Sequence, residues 1–452
     1  MNVKPWVAQH RPAIQDLLLV SLAGAALRVI VYLAYATLAG NDTPGYVKLA
    51  HALREWNPGL YDGFRTPGYS LFLLALGINL ELVRIAQHVL GVLTAILIYL
   101  MARLRVSRRW AVAAGLFYGL SLHFAFYEAI VQTEALANFL MALIFCLYAR
   151  RTEKSDYSMG SATFIGLLCA YLAMVRPQYL PVFFILAFFD VIRMVRQPRM
   201  ALRRTLNLFP GAGVLFAAVG GWALLNRILF GSYFLTLFSA SAMMQHTIRF
   251  GDRAGPEWRE AGAILAKWRD YYRAEIEQVG ATEIAITPAI REIAALYGTT
   301  NIVERYHLLN RINRHLIRQS PIDYAEGVLI GCINFWRVSL IMYPECFKNQ
   351  RILPAFERLW IPNKLAWLGV HLAFFTSLLA ALRRGRTLWK DTLLMSLLAQ
   401  ILLGGMAFQA LLTFSNSSRY ALPSEGLVLV ALLYLTTCRR TANPRLVDSA
   451  RA

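Results

Sequence analysis

Leu17 to Tyr46 reads LLLVSLAGAALRVIVYLAYATLAGNDTPGY. Leu17 to Leu38 is almost wholly apolar, with Arg28 its one charge, and a helix of about 20 such residues crosses a bilayer core. The polar group Gly40-Asn41-Asp42-Thr43-Pro44-Gly45-Tyr46 follows at once, and Phe64-Arg65-Thr66-Pro67-Gly68-Tyr69 opens the next apolar run. If the first run spans a membrane, residues 39–80 lie at its surface. They carry Asp42, Lys48, His51, Arg54, Glu55, Asp62 and Arg65 there.

Working outward, the chain of 452 residues is 57% hydrophobic and only 16% charged, with mean hydropathy +0.46. Soluble domains carry about 25% charged residues, so the composition predicts an all-α polytopic membrane protein. Alternating strand patterns are absent, which argues against a β-barrel. About ten transmembrane helices are expected, over 16–38, 81–104, 109–127, 129–149, 158–175, 177–195, 205–229, 362–382, 391–413 and 419–437. The first is too long for a signal-peptide core and is read as uncleaved.

Net charge is +20, and its distribution matters more than its size. Arg103, Arg105, Arg108 and Arg109 follow span two; Arg150, Arg151 and Lys154 follow span four; Arg193, Arg196, Arg199, Arg203 and Arg204 follow span six. Arg383, Arg384, Arg386 and Lys390 follow span eight, and Arg439 and Arg440 follow span ten. Every second connection is basic, so the excess is a topology mark rather than a nucleic-acid footprint. It predicts both termini in the cytoplasm, with 39–80, Arg176–Pro177, 230–361 and Ser415–Arg419 outside. The apolar stretch 322–343 cannot be a full crossing without reversing that parity, so it is placed on or partly in the outer interface.

Three regions follow: an N-terminal transmembrane module over 1–229, a helical outer cap over 230–361, and C-terminal spans with a short tail over 362–452. The cap segment holds half of the 26 acidic residues, and its stretches 256–278 and 300–319 have helical character. Gly211-Ala-Gly213 suits close helix packing. The five cysteines, at 146, 169, 332, 346 and 438, lack metal spacing, and no motif supports a Cys332–Cys346 disulfide. P-loop, nucleophile-elbow and HExxH motifs are absent, so ATP, serine and zinc hydrolysis have no sequence basis.

Thr43-Pro44 starts a short helix well, with proline where a backbone donor would be orphaned anyway. Tyr46, Leu49, Ala50, Leu53 and Trp56 then share one face, and Lys48, His51 and Glu55 turn the other toward an aqueous cavity. Asp42, just ahead, is either a carboxylate favoured by the helix dipole or a general base; one position serves both. Glu134 opens an apolar run at the same level, as a capping group or a functional one. Arg176 and Arg419 either pair with Asp42, Glu134 or Glu425 or offer their forks to a phosphate. His307, Arg311, Arg314, His315 and Arg318 form a basic stripe in the cap, read as a solvated face.

These motifs resemble those of bacterial GT-C fold membrane glycosyltransferases of glycosyltransferase family 39 and relatives, which include protein O-mannosyltransferases and the lipid A aminoarabinose and galacturonic acid transferases. The matching residues are Asp42-x-x-x-Tyr46-x-x-Leu49-Ala50-x-x-Leu53, Arg65-Thr-Pro67-Gly68-Tyr69, Thr133-Glu134-Ala-Leu136, Val175-Arg176-Pro177, Asn226-Arg227-x-x-Phe230-Gly231 and Arg419-Tyr420-x-Leu422-Pro423. Ser70 after Gly-Tyr and Gly221 before Trp222 depart from the family pattern. The resemblance implies a polyprenyl-phosphate sugar donor and transfer to an acceptor hydroxyl on a glycolipid, polysaccharide or protein at the outer face. It implies Asp42 and Glu134 as catalytic carboxylates, and Arg65, Arg176 and Arg419 as the donor-phosphate site. Tyr46, Lys48, His51, Tyr69, Asn226, Arg227 and Tyr420 are implied supports, and a divalent cation stays open. The alternative is a lipid or glycan transporter, although the polar residues gather at one face rather than at the midplane.

Overall fold

The computed structural model describes residues 3–155, 158–196, 209–338, 342–383, 385–414 and 418–441. Among them the chain is an all-α polytopic membrane protein. Strands are replaced by two isolated bridges, Tyr35 with Phe347 and Leu38 with Ile130. Eight helices are long and apolar enough to cross a membrane, nine if one bent pair counts as a span. Their outward faces are apolar: Leu22 and Leu33 of α1 (Val3–Ala34) are each 67% exposed, as lipid contact requires.

α2 (Thr43–Arg54) and α3 (Pro67–Ala75) lie in the first connection, both opened by proline. α4 (Leu80–Arg103) is capped by Asn79, which accepts from the backbone of Glu81 and Leu82. The expected straight third span is α5 (Arg108–Gly119) and α6 (Leu122–Glu128), bent by 45°. Arg28 takes the Gly119 carbonyl at 2.6 Å and the Glu128 carboxylate at 2.7 Å. A carbonyl spent on a guanidinium is lost to the helix ladder, and there the helix breaks. His88 completes this buried group, 3.1 Å from Glu128.

α7 (Glu134–Glu153) starts five residues later than the sequence suggests. Residues 129–131 turn out of α6 instead, and Ala129 and Val131 bond Leu38 on both sides. α8 (Met159–Val175), with 17 residues, is apolar but too short to count among those eight. It packs on α10 (Phe209–Phe230), where a Cβ on Gly166 would lie 2.4 Å from the Gly211 Cα. Gly213 has open space, so only Gly211 bears out the close-packing expectation. α9 (Pro181–Val195) lies between them in sequence. The start expected at 205 for the α10 span falls outside the described residues.

The cap has a core of its own. α11 (Phe238–Thr247), α12 (Arg259–Tyr271), α13 (Arg273–Val279), α14 (Glu283–Leu296) and α15 (Ile302–Gln319) surround Met244, Ile248, Leu265, Ile293, Ile312 and Leu316. α16 (Pro321–Phe335) then descends beside the spans. Tyr324 bonds the Leu411 carbonyl near its top, and Trp336 at its foot stacks against Phe374 and contacts His371. His371 lies past the midpoint of α17 (Leu353–Arg383). By Tyr343 the chain has returned to Tyr35, at the cap end of α1. From Pro321 to Tyr343 the described chain therefore leaves the cap side and comes back to it, rather than running through to the far end of the bundle, which agrees with the expected absence of a full crossing. Residues 339–341 of its return lie outside the described residues, as do Arg199, Arg203, Arg204, Arg384 and the tail from 442.

α18 (Thr392–Leu412), which contains a π-helical segment over Gln400–Ala407, and α19 (Ser418–Thr441) complete the bundle. The basic connections gather at the end away from the cap. There Arg105 pairs with Glu153 and Asp391, Arg108 with Asp16, and Arg151 with Asp190. Cys146, Cys169, Cys332 and Cys346 are free thiols, so Cys332 and Cys346 form no bridge.

Candidate active site

At the cap end of the bundle a cavity of about 900 Å³ separates the spans from the cap. Asp42, Tyr46, Arg65, Arg176, Arg419 and Tyr420 form its membrane side. Each charge comes from a different element. Asp42 precedes α2, Arg65 precedes α3, Glu134 opens α7, Arg176 ends α8, and Arg419 opens α19.

Asp42 accepts from Arg65 at 2.7 Å through one oxygen and from Arg419 at 2.8 Å through the other. Its side chain makes no cap bond to α2, so local capping is not its task. Burial pushes the Asp42 carboxyl up, but Arg419 and Arg65, with Arg176 farther off, more than offset this and hold it at about 2. Glu134, 1% exposed, meets Arg176 at 3.4 Å and the Nε of Arg419 at 3.3 Å. That Nε lacks hydrogen-bond alignment, so Glu134 holds Arg419 as an ion pair and Asp42 holds it by a directed bond. Arg419 thus bridges the two carboxylates.

Aromatic rings back the guanidinium groups. Arg65 lies 4.9 Å over Tyr46, Arg176 4.7 Å over Tyr420, and Arg419 5.1 Å from the same ring. Such stacking orients a guanidinium plane while leaving its donors free. Tyr69 stands behind Tyr46 at 5.0 Å and bonds Gln87, so it supports the floor without lining it. Gly68 lets this layer approach: a Cβ there would be 2.4 Å from the Met174 carbonyl carbon, two residues from Arg176.

Four expected supports lie elsewhere. Lys48 pairs with Asp62, and His51 faces Glu55 and Arg54, all on the side of α2 away from the cavity. The buried face, through Tyr46, is the one that reaches the cavity. Asn226 bonds the Phe234 carbonyl and Arg227 lies over Tyr233; both close the turn after α10. Trp56, expected on the apolar face, follows the end of α2 and is 91% exposed.

Residues that the sequence reading missed form the other wall. Glu275, Glu283, Arg291, Arg305 and Tyr306 line the cavity from the cap. They come from three helices, and nothing in their spacing marks them. The expected stripe does not join them: His307 meets Ser232, Arg311 lies over Trp258, and His315 faces Glu257.

A divalent cation between Asp42 and Glu134 does not fit this arrangement, because the Arg419 guanidinium occupies that position. Among the described residues no group of three or more His, Cys, Asp or Glu could hold a metal ion.

The fold and site define a polytopic helical membrane protein with a charged cavity roofed by a helical cap. No protein-family profile matches the sequence, and no curated protein is similar to it in sequence. Among solved structures it is similar to the archaeal oligosaccharyltransferase AglB from Archaeoglobus fulgidus in complex with an inhibitory peptide and a dolichol-phosphate. The identity is 14% over 98% of this chain and 52% of that one, with a TM-score of 0.46. The apo form of that oligosaccharyltransferase gives 14%, 97%, 52% and 0.46. ArnT from Cupriavidus metallidurans bound to undecaprenyl phosphate gives 14% identity over 94% of this chain and 78% of that one, with a TM-score of 0.38. The chain spans about half the length of the oligosaccharyltransferase.

Proposed function

We propose that the protein is a GT-C type glycosyltransferase that moves a sugar from a polyprenyl phosphate to an acceptor hydroxyl in the cavity, on the outer face of the cytoplasmic membrane. The observation that carries this is the floor itself: three arginines interlaced with two carboxylates at 2.7 to 3.4 Å, where the bundle meets the cavity. Three guanidinium groups exceed what two carboxylates neutralise, so the floor has one positive charge to spare for an anion. Forked guanidinium donors suit phosphate oxygens, and a lipid-borne phosphate reaches this level from the surrounding bilayer.

In the reaction the acceptor oxygen bonds to the anomeric carbon as the bond from that carbon to the phosphate oxygen breaks. The electron pair leaves with the lipid phosphate, which gains negative charge, and Asp42 takes the acceptor's proton. Arg65, Arg176 and Arg419 stabilise the charge that develops on the leaving group, the effect that commonly contributes most to a barrier. Glu134 anchors Arg176 and Arg419 from behind. The cap wall leaves room for the acceptor opposite the donor.

Purified protein given labelled polyprenyl-phosphate sugar and an envelope extract tests this. Radiolabel transferred to an acceptor is the expected result, and transbilayer movement without transfer would make it a transporter. Mass comparison of envelope glycolipids and glycoproteins with and without the protein would then identify the acceptor.

A further inference from the structure

Both oxygens of Asp42 are engaged by guanidinium groups, and these are the donors that a phosphate on the cavity floor would use. The two carboxylates are not held alike. Glu134 is 1% exposed and anchored at the start of a long helix, whereas the Asp42 side chain is 22% exposed. Asp42 sits in the loop ahead of a short helix, without a cap bond to fix its rotamer. Its surroundings are Arg65 from the same connection, Arg419 from α19, Arg176 from α8, Tyr46 from α2 and Glu134 from α7. Every cation near it is also a cation for the donor.

We propose that Asp42 is a displaceable occupant of the phosphate subsite: an entering lipid phosphate takes Arg65 and Arg419 from it, and the released carboxylate becomes the base that meets the acceptor. This rests on the transferase reading and adds an order to it. A carboxylate tied to two arginines is a poor proton acceptor, because basicity falls as the charged form is stabilised. It becomes a useful one only after the arginines turn to phosphate. Donor therefore binds before acceptor, and the site holds its base in reserve until a leaving group is in place. Glu134 stays, keeping Arg176 and Arg419 aimed at the floor.

The test is equilibrium binding of a long-chain polyprenyl phosphate to the full chain in lipid nanodiscs. Asp42→Asn removes the competitor and is expected to bind about tenfold tighter than the native protein, as when a state closed to ligand ceases to be populated. Glu283→Gln removes an equal charge from the cap wall, where Gln245 holds it at 3.3 Å, and is expected to stay within about twofold of native. Equal or weaker binding by Asp42→Asn overturns the proposal, as does an equal gain in Glu283→Gln, which would reduce the effect to net charge.

If Asp42→Asn does not fold, the native protein supplies the reading. At about pH 4, in the range of a released carboxylate, binding of a polyprenyl-phosphate sugar, a diester whose single charge does not titrate there, is expected to take up protons, measured calorimetrically in buffers of different ionisation heat; no uptake overturns the proposal. Binding to neither native protein nor variant would bring down the transferase reading itself. Binding that Asp42→Asn fails to strengthen removes only the placeholder role.

Discussion

Asp42 is ionised long before any substrate arrives, and two arginines keep it so. Its folded value is depressed to about 2, so its share of stability is complete above the ordinary carboxylate range of about 4 and is lost as pH falls toward 2. The rate of donor capture, kcat/KM, reports the free enzyme and is expected to show no acid limb from Asp42 above about pH 4. The limb in kcat, which reports the loaded enzyme, is expected at higher pH; coincident limbs would count against release of the carboxylate. Asp42→Asn is expected to lower turnover by about 10²- to 10⁴-fold with the protein still folded, read from single-turnover kinetics and a melting curve. Glu134 differs because it is fully buried. Glu134→Ala leaves Arg176 and Arg419 without their buried counter-charge and is expected to cost about 3–5 kcal/mol of stability, measured by unfolding in detergent. At this scale the sequence was partly legible. Asp42, Glu134, Arg176 and Arg419 were recognisable as charges at the ends of apolar runs, where an ionisable group needs a reason. Which arginine serves which carboxylate was not, because pairing depends on helix azimuth.

Elements carry these residues to one level, and a tight joint lies between α3 and α8. Gly68→Ala would place a methyl group 2.4 Å from the Met174 and Val175 backbone, where no flexible side chain can yield. Separation of the two helices is expected, with a stability loss of about 1–3 kcal/mol and weaker phosphate binding through a displaced Arg176. A thermal shift with unchanged binding would show that Arg176 does not depend on this joint. The α2 helix was readable from Thr43-Pro44 and its apolar spacing. Its end was misplaced because the periodicity runs on to Trp56, while Asn57 before Pro58 takes the chain out of the helix. Residues before proline avoid the helical region, so that stop was present in the sequence. The bend between α5 and α6 was not, since it comes from Arg28 of another helix.

Across the whole molecule, the cap's separate core predicts a separable response. Leu265→Ala or Ile312→Ala, each at a fully buried site, is expected to destabilise the cap by about 2–5 kcal/mol while the spans keep their packing. Limited proteolysis should then cut within 238–319 before the bundle. The proposed topology is checked by single cysteines in a chain stripped of its own: Trp56→Cys is expected to react with a membrane-impermeant maleimide from outside, and Lys154→Cys only after permeabilisation.

Composition, run length and basic loops by themselves determined the helical membrane class, the approximate spans and the gathering of the candidate residues at one end of the bundle, because lipid demands long apolar helices and basic residues mark alternate connections. Tertiary structure alone decided the rest. In a bilayer, helices associate by shape and polar contacts rather than by differences in hydrophobicity. The Arg419 bridge, the returning path of α16 and the Arg305 side of the cavity therefore had no periodicity to announce them.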